Sequence, residues 1–202
     1  ARQAQRANRL RSTIPSVAIA GYTNAGKSTL LNALTGADVL VEDALFATLD
    51  PTVRRTQTED GRAYTLSDTV GFVSRLPTQL VEAFRSTLEE VGEADVILHV
   101  VDAAHPDPIG QIQAVHSVLD TIEGARDIPE LIVFNKADLA SDEQRAFVRS
   151  LSERAVLVSA VTGEGISELQ TVIASMLPRP REVIDCVVPY IYGALIHRIH
   201  EE

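Results

Sequence analysis

The run Gly21-Tyr22-Thr23-Asn24-Ala25-Gly26-Lys27-Ser28 has the spacing G-x-x-x-x-G-K-[ST]. Those residue types suit one task, which is holding a nucleoside triphosphate by its phosphates. Glycine permits positive φ, so the backbone can curl until successive N–H groups point inward at phosphate oxygens. Lys27 supplies a point charge for the β- and γ-phosphates, and the Ser28 hydroxyl can ligate Mg²⁺. Three more groups follow in a telling order. Asp68-Thr69-Val70-Gly71 fits D-x-x-G, in which the carboxylate holds Mg²⁺ through water and the glycine N–H reads the γ-phosphate. Asn135-Lys136-Ala137-Asp138 fits N-K-x-D. A carboxylate at Asp138 can accept both N1–H and the exocyclic amine of guanine, whereas adenine would leave that acid unpaired. Ser159-Ala160 then suits a backbone contact to guanine O6. Taken in register, these groups predict a guanine nucleotide and argue against an ATP-using enzyme.

Each motif needs an element to hold it, and the sequence provides one. Val17 to Ala20 reads as a buried strand before the phosphate loop, and Thr29 to Leu34 as the helix after it, whose N-terminal dipole favours anions. Val53–Gln57 and Arg62–Ser67 flank an Asp60-Gly61 turn and read as an antiparallel pair. Asp95 to Asp102, Leu131 to Phe134 and Val156 to Val158 read as further strands. Helices are expected over 79–91, 109–122, 142–151 and 166–177, with Ser141 as an N-cap. Strands alternating with helices of this length imply an α/β fold with a mostly parallel sheet covered on both faces. The expected fold is a P-loop NTPase G domain with a six-stranded, mostly parallel sheet. We expect the end of a connecting helix over 1–14, the G domain over 15–178, and an extension of strand plus helix over 179–202.

The segment from Leu45 to Thr52 (Leu-Phe-Ala-Thr-Leu-Asp-Pro-Thr), then Asp68 to Val73 (Asp-Thr-Val-Gly-Phe-Val), then Leu76-Pro77, resembles the HflX family. These are ribosome-associated GTPases of the translation-factor class, related to Obg. The phosphate loop also has that family's form, and the resemblance covers about residues 8 to 180. It implies that Phe46, Ala47, Thr48, Leu49 and Asp50 form switch I, with Thr48 a second Mg²⁺ ligand beside Ser28. Thr52 is the competing candidate, since it follows the same loop. Asp68, Thr69, Val70 and Gly71 would make the γ-phosphate contacts. Asn135, Lys136, Ala137 and Asp138 would read the base, and Ser159, Ala160 and Val161 would form the base-edge loop. Lys27, Thr48 and Gly71 would act in catalysis, and Ser28, Thr48 and Asp68 would hold the metal. The resemblance also implies ribosome splitting or rescue at the 50S subunit and contact with its rRNA. A different class of function, a nucleotide-gated RNA-binding or ribosome-assembly module with negligible turnover, stays open. HflX relatives carry a domain before the GTPase unit, and a chain that begins at Ala1 reads as a fragment or a processed product.

Catalysis carries one departure. Many GTPases place Gln directly after D-x-x-G to orient the attacking water, but that position here is Phe72, which neither donates nor accepts a hydrogen bond. Slow intrinsic hydrolysis is expected, accelerated by a partner. Asn24 has two readings, a turn residue that tolerates left-handed backbone and a K⁺ ligand supplying charge to the transition state.

Composition sets the remaining bounds. With 202 residues, 45% of them hydrophobic, the chain can build one core. A single cysteine, Cys186, excludes a disulfide framework and fits a reducing compartment, the cytoplasm. No run approaches twenty apolar residues, so no membrane span is expected, and the domain is expected to be a monomer. The net charge of −10 does not advertise nucleic-acid binding. It is uneven, however. Arg2, Arg6, Arg9 and Arg11 give the first dozen residues +4, leaving −14 on the rest, and Arg54 and Arg55 add a basic spot. Local positive charge of this kind is what phosphate contacts need. His197 and His200 read as surface histidines, and His99, inside an apolar strand, as a satisfied core residue. Residues 187–196 are unexpectedly apolar for a tail.

Overall fold

The computed structural model of the chain describes residues 14–36, 52–68, 91–122, 124–152 and 155–178, with Thr52 described by its backbone. The readings made above for 1–13, 37–51, 69–90 and 179–202 lie outside the described residues.

Six strands form one sheet in the order β2-β3-β1-β4-β5-β6. They are β1 (Ser16–Gly21), β2 (Thr52–Gln57), β3 (Ala63–Asp68), β4 (Val96–Asp102), β5 (Glu130–Asn135) and β6 (Val156–Leu157). Only β2 runs antiparallel, joined to β3 by a tight turn in which Gly61 takes φ 82°. All other pairings are parallel. The interior strands β1 and β4 are near-continuous apolar runs, as a sheet buried on both faces requires.

Alternation along those strands sends successive side chains to opposite layers. Val17, Ile19, Leu98 and Val100 face α1 (Lys27–Thr35) and α4 (Ile166–Met176), meeting Leu30, Leu31, Leu34, Leu169 and Ile173. Ala18, Ala20 and Ile97 face the other way, packing with Val115 and Leu119 of α2 (Pro108–Leu119). Val101 and Phe134 meet Val148 of α3 (Asp142–Leu151). The mostly parallel sheet, covered on both faces, is therefore as expected.

Local chemistry fixes where the helices begin. Asp107 caps α2 by accepting from the Gly110 N–H at 2.8 Å, with Pro108 in the first turn. Ser141 and Gln144 form a reciprocal capping box at α3, satisfying two end groups at once. Helix α1 ends on Gly36, whose left-handed φ of 64° lets its N–H return to the Asn32 carbonyl. Because β1, β3, β4, β5 and β6 run in one direction, their C-terminal ends share one edge of the sheet. In open α/β sheets that edge is where ligands bind.

Candidate nucleotide site

Four of the motifs read from sequence leave that edge: the phosphate loop follows β1, Asp68 ends β3, Asn135 ends β5, and Ser159 lies just beyond β6. In the phosphate loop Asn24 and Gly26 take left-handed φ of 60° and 87°, and the Ala25 N–H closes a turn onto the Tyr22 carbonyl at 3.2 Å. Only glycine suits position 26. Its φ is strained for any side chain, and a Cβ there would collide with Nδ2 of Asn135. A Cβ on Gly21 would likewise collide with the Val100 carbonyl of the neighbouring strand.

Lys27 opens α1 and is only 7% exposed. Its Nζ lies 3.3 Å from the Tyr22 carbonyl. Burial pulls the ammonium down to about 8, partly opposed by the negative charge of Asp68. One residue on, the Ser28 hydroxyl donates to Asp68 Oδ2 at 2.5 Å. A hydroxyl and a carboxylate meeting at the mouth of a phosphate loop are hard oxygen donors, and that is the donor set Mg²⁺ takes while keeping its other positions for water and phosphate. Ser28 and Asp68 therefore fit the ion that the sequence implies. Switch I (Phe46, Ala47, Thr48, Leu49, Asp50) and Thr69, Val70, Gly71 and Phe72 lie outside the described residues. Thr52, the competing metal ligand, stands opposite Asp68 in the β2–β3 ladder.

Asn135 carries a connected, buried side chain at this edge. It is 2% exposed, its Nδ2 donates to the Ala25 carbonyl at 2.9 Å, and its Oδ1 accepts from the Ala160 N–H at 3.1 Å. A weaker contact to the Gly26 carbonyl spans 3.4 Å. With a carbonyl on one side and an N–H on the other, only one orientation of the amide satisfies both. One side chain thus ties the phosphate loop to the loop after β6.

The remaining base-reading candidates gather around it. Lys136 takes φ 63° and its Nζ pairs with Asp102 Oδ2 at 2.8 Å, while Asp102 Oδ1 holds the Ala104 N–H at 2.9 Å. The Ala137 N–H donates to the Val158 carbonyl at 3.0 Å, which aligns the two loops. Asp138 is exposed, and its Oδ1 accepts from the Ser159 hydroxyl at 2.6 Å. Ser159 Oγ in turn accepts from the Thr162 N–H at 3.1 Å. Val161 is 78% exposed. The Ala160 N–H, offered by sequence as a base contact, is engaged by Asn135 in this arrangement.

Two side chains at this edge were not singled out from sequence. Asp102, which anchors Lys136, could have been noticed as an acid ending a run of apolar residues. Arg145 gave no signal, because it sits among the polar residues of α3. Its guanidinium donates to the Ala137 carbonyl at 2.7 Å and forks onto Glu164 at 2.7 and 3.2 Å. Since the Glu164 carbonyl accepts from the Ser159 N–H at 2.9 Å, Arg145 braces both loops that flank Asp138.

This arrangement, with the buried Lys27 ammonium at one end and the exposed Asp138 carboxylate, held by the Ser159 hydroxyl, at the other, has the polarity of a guanine nucleotide. Known proteins agree. A family described as 50S ribosome-binding GTPase matches residues 16–136. GTPase HflX of Caldanaerobacter subterraneus subsp. tengcongensis is 49% identical over 94% of the chain and 43% of its own length. GTPase HflX of Alkalihalophilus pseudofirmus is 46% identical over 85% of the chain and 40% of its own length. A GTP-binding protein of Sulfolobus solfataricus, solved in complex with GDP, superposes with a TM-score of 0.63 at 28% identity, over 87% of this chain and 55% of that one. The chain spans under half the length of these HflX relatives. It belongs to the 50S ribosome-binding GTPase family, and the resemblance to HflX read from its motifs is borne out.

Proposed function

We propose that this HflX-like GTPase unit binds GTP with Mg²⁺, hydrolyses it to GDP and phosphate, and uses that cycle to switch its hold on the large ribosomal subunit. Residues 15–178 would form the switch, with 1–14 closing a connecting helix and 179–202 forming an extension. The observation that carries the reading is the Asn135 bridge, since a single buried amide spans the phosphate-holding and base-reading loops.

In this reading Gly21, Tyr22, Thr23, Asn24, Ala25 and Gly26 wrap the phosphates with backbone N–H groups. Lys27 places its charge where the β–γ bond breaks, stabilising the oxygen that takes up the electrons. Ser28, Asp68 and Thr48 would hold Mg²⁺, which neutralises charge on the β- and γ-oxygens when bound. The Gly71 N–H would report the γ-phosphate to the switch, and Asp138 would select guanine. Phe72 cannot orient the attacking water, so hydrolysis by the chain alone is slow and a partner completes the site. Potassium beside Asn24 is a second route to the missing charge, and the left-handed backbone of Asn24 is compatible with it. The cytoplasm, where ribosomes and GTP coexist, is the setting this function needs.

A module with negligible turnover is the second reading, and Phe72 is the residue that favours it. GTP turnover measured alone and with purified 50S subunits, in Na⁺ and in K⁺ buffers, separates the two. Strong stimulation by 50S is the expected result. Turnover that stays negligible, with 50S binding that still responds to GTP against GDP, would select the second reading. Fast hydrolysis by the chain alone would overturn the role given to Phe72.

A further inference from the structure

A second cluster of chemistry-bearing side chains lies on the other face of the sheet from α1, under α2. His99 of β4 is completely buried, and its Nδ1 lies 2.6 Å from Oε1 of Glu130, the first residue of β5. His116, on the third turn of α2, reaches the same carboxylate with its Nε2, at 2.9 Å from Oε1 and 3.0 Å from Oε2. The two imidazoles stand edge to face with centroids 5.3 Å apart. Neither the nucleotide site nor the family resemblance uses any of the three.

We propose that His99, His116 and Glu130 form a site for one late first-row divalent cation, Zn²⁺ above all. Two imidazole nitrogens and a carboxylate are a donor set that Zn²⁺ takes, at about 2.0–2.2 Å per ligand. The three donor atoms already lie within 4.8 Å of one another. Tetrahedral ligands at such bond lengths stand about 3.3–3.5 Å apart, so the carboxylate needs to recede by about 0.7–0.9 Å from His99 Nδ1, now at 2.6 Å, and by about half an ångström from His116 Nε2, now at 2.9 Å. Glu130 can do so, since its side chain is 27% exposed. His116 is 43% exposed and gives the ion an entry path, while a water can complete the shell.

The deep side of the site sets its strength. Coordination through Nδ1 puts the His99 proton on Nε2, which is buried and has no hydrogen-bond partner among the described residues. Zinc-binding histidines ordinarily donate that second N–H to an acceptor. An unmet donor of this kind weakens binding by about ten- to a hundredfold, so micromolar rather than nanomolar affinity is expected. The ion would join β4, β5 and α2, just before β4 and β5 run on to Asp102 and Asn135.

The test uses the whole chain, stripped with a chelator and then saturated with Mg²⁺-GDP so that Ser28 and Asp68 are engaged. Zn²⁺ and, as a spectroscopic probe, Co²⁺ are titrated in, following Co²⁺ visible absorption and the melting temperature. One saturable equivalent with intense four- or five-coordinate Co²⁺ bands is expected, together with a Zn²⁺-dependent rise in melting temperature. His116→Ala and Glu130→Gln, both on partly exposed side chains, should each weaken the affinity by about tenfold or more. Binding that is unchanged in either folded variant would put the ion elsewhere, for example on His197 and His200, and overturn the proposal. Absence of binding by the parent chain up to millimolar Zn²⁺ would do the same.

Discussion

Lys27 offers the sharpest quantitative handle on the site. Its ammonium is 7% exposed and burial holds it at about 8 against an ordinary 10.5, with Asp68 restoring only part of the difference. A gap of that size corresponds to about 3 kcal/mol at 1.4 kcal/mol per unit. The sign follows from which state holds the proton more tightly. Between pH 10.5 and 8 the unfolded chain binds a proton at Lys27 that the folded protein does not. Folded stability therefore falls as the pH drops through that window and the penalty is constant below it. Phosphates brought against Lys27 supply the counter-charge that burial denies it and raise its affinity for the proton. GTP or GDP binding at pH 8 should thus take up about half a proton per nucleotide, against about a tenth at pH 7. Above pH 8 the dissociation constant should rise, by up to about tenfold per pH unit. Titration calorimetry at pH 8, in buffers of high and low ionisation enthalpy, reads the uptake directly. The phosphates are fully ionised by then and add no proton of their own. Lys27→Arg keeps a charge that does not titrate, so any binding it retains should show no buffer dependence. Equal enthalpies in the two buffers for the parent chain at pH 8 would refute the reasoning.

Further perturbations probe the base-reading end. Asp138→Asn turns an acceptor pair into one acceptor and one donor, so GTP affinity should fall by about a hundredfold or more and xanthosine nucleotides should gain preference. Unchanged GTP binding would sink the base assignment. Asn135→Ala leaves the Ala25 carbonyl and the Ala160 N–H without their buried partner, which should lower stability by about 1–3 kcal/mol and speed GDP release. A stability loss with unaltered GDP release would separate the amide from nucleotide binding. Arg145→Ala removes an exposed ion pair worth little by itself, but it acts on the Ala137 carbonyl and Glu164 together. The Glu164 carboxylate then loses its partner while the Ala137 carbonyl keeps only the Ala140 N–H, so nucleotide affinity should fall about three- to tenfold with little change in melting temperature, and stopped-flow release of a fluorescent GDP would detect it.

Most of the scaffold was legible because it rests on local signals. The apolar run Val17–Ala20, the Asp60-Gly61 turn and the Ser141 cap each write their element into a few residues, and the strands, helices and two-faced sheet follow. Among the described residues, the sequence motifs at Gly21–Ser28, Asp68, Asn135–Asp138 and Ser159 stand together at one edge of the sheet, because such motifs follow from fixed residue types at fixed spacing. Groups that act through three-dimensional neighbours were not legible in this way. Nothing in the local sequence of Arg145 tells that its fork spans to Glu164, nineteen residues on. His99 was read as a satisfied core residue, and the structure corrects half of that. It is buried and its Nδ1 is engaged, but its Nε2 has no partner among the described residues. His116 and Glu130 could not be joined to it from sequence, because β4, α2 and β5 must first pack.

Asn135 shows why the phosphate and base ends of such a site are hard to vary independently. The position must donate to the Ala25 carbonyl and accept from the Ala160 N–H at once, from a side chain only 2% exposed. A side-chain amide carries donor and acceptor on separate atoms of one short arm, so it can face both groups at once. Aspartate would set a carboxylate against the Ala25 carbonyl, and glutamine would overreach toward Gly26, whose missing Cβ already marks how closely Nδ2 approaches. A nucleotide that pulls on the loop around Gly26 therefore pulls on Ala160 through a single rigid group, with no flexible residue between them. If these loops hold the phosphates and the base as proposed, the two functions would be coupled by direct contact through Asn135. The same side chain reaches the left-handed turn at Gly26, 109 residues from Asn135 in sequence, through its 3.4 Å contact to the Gly26 carbonyl.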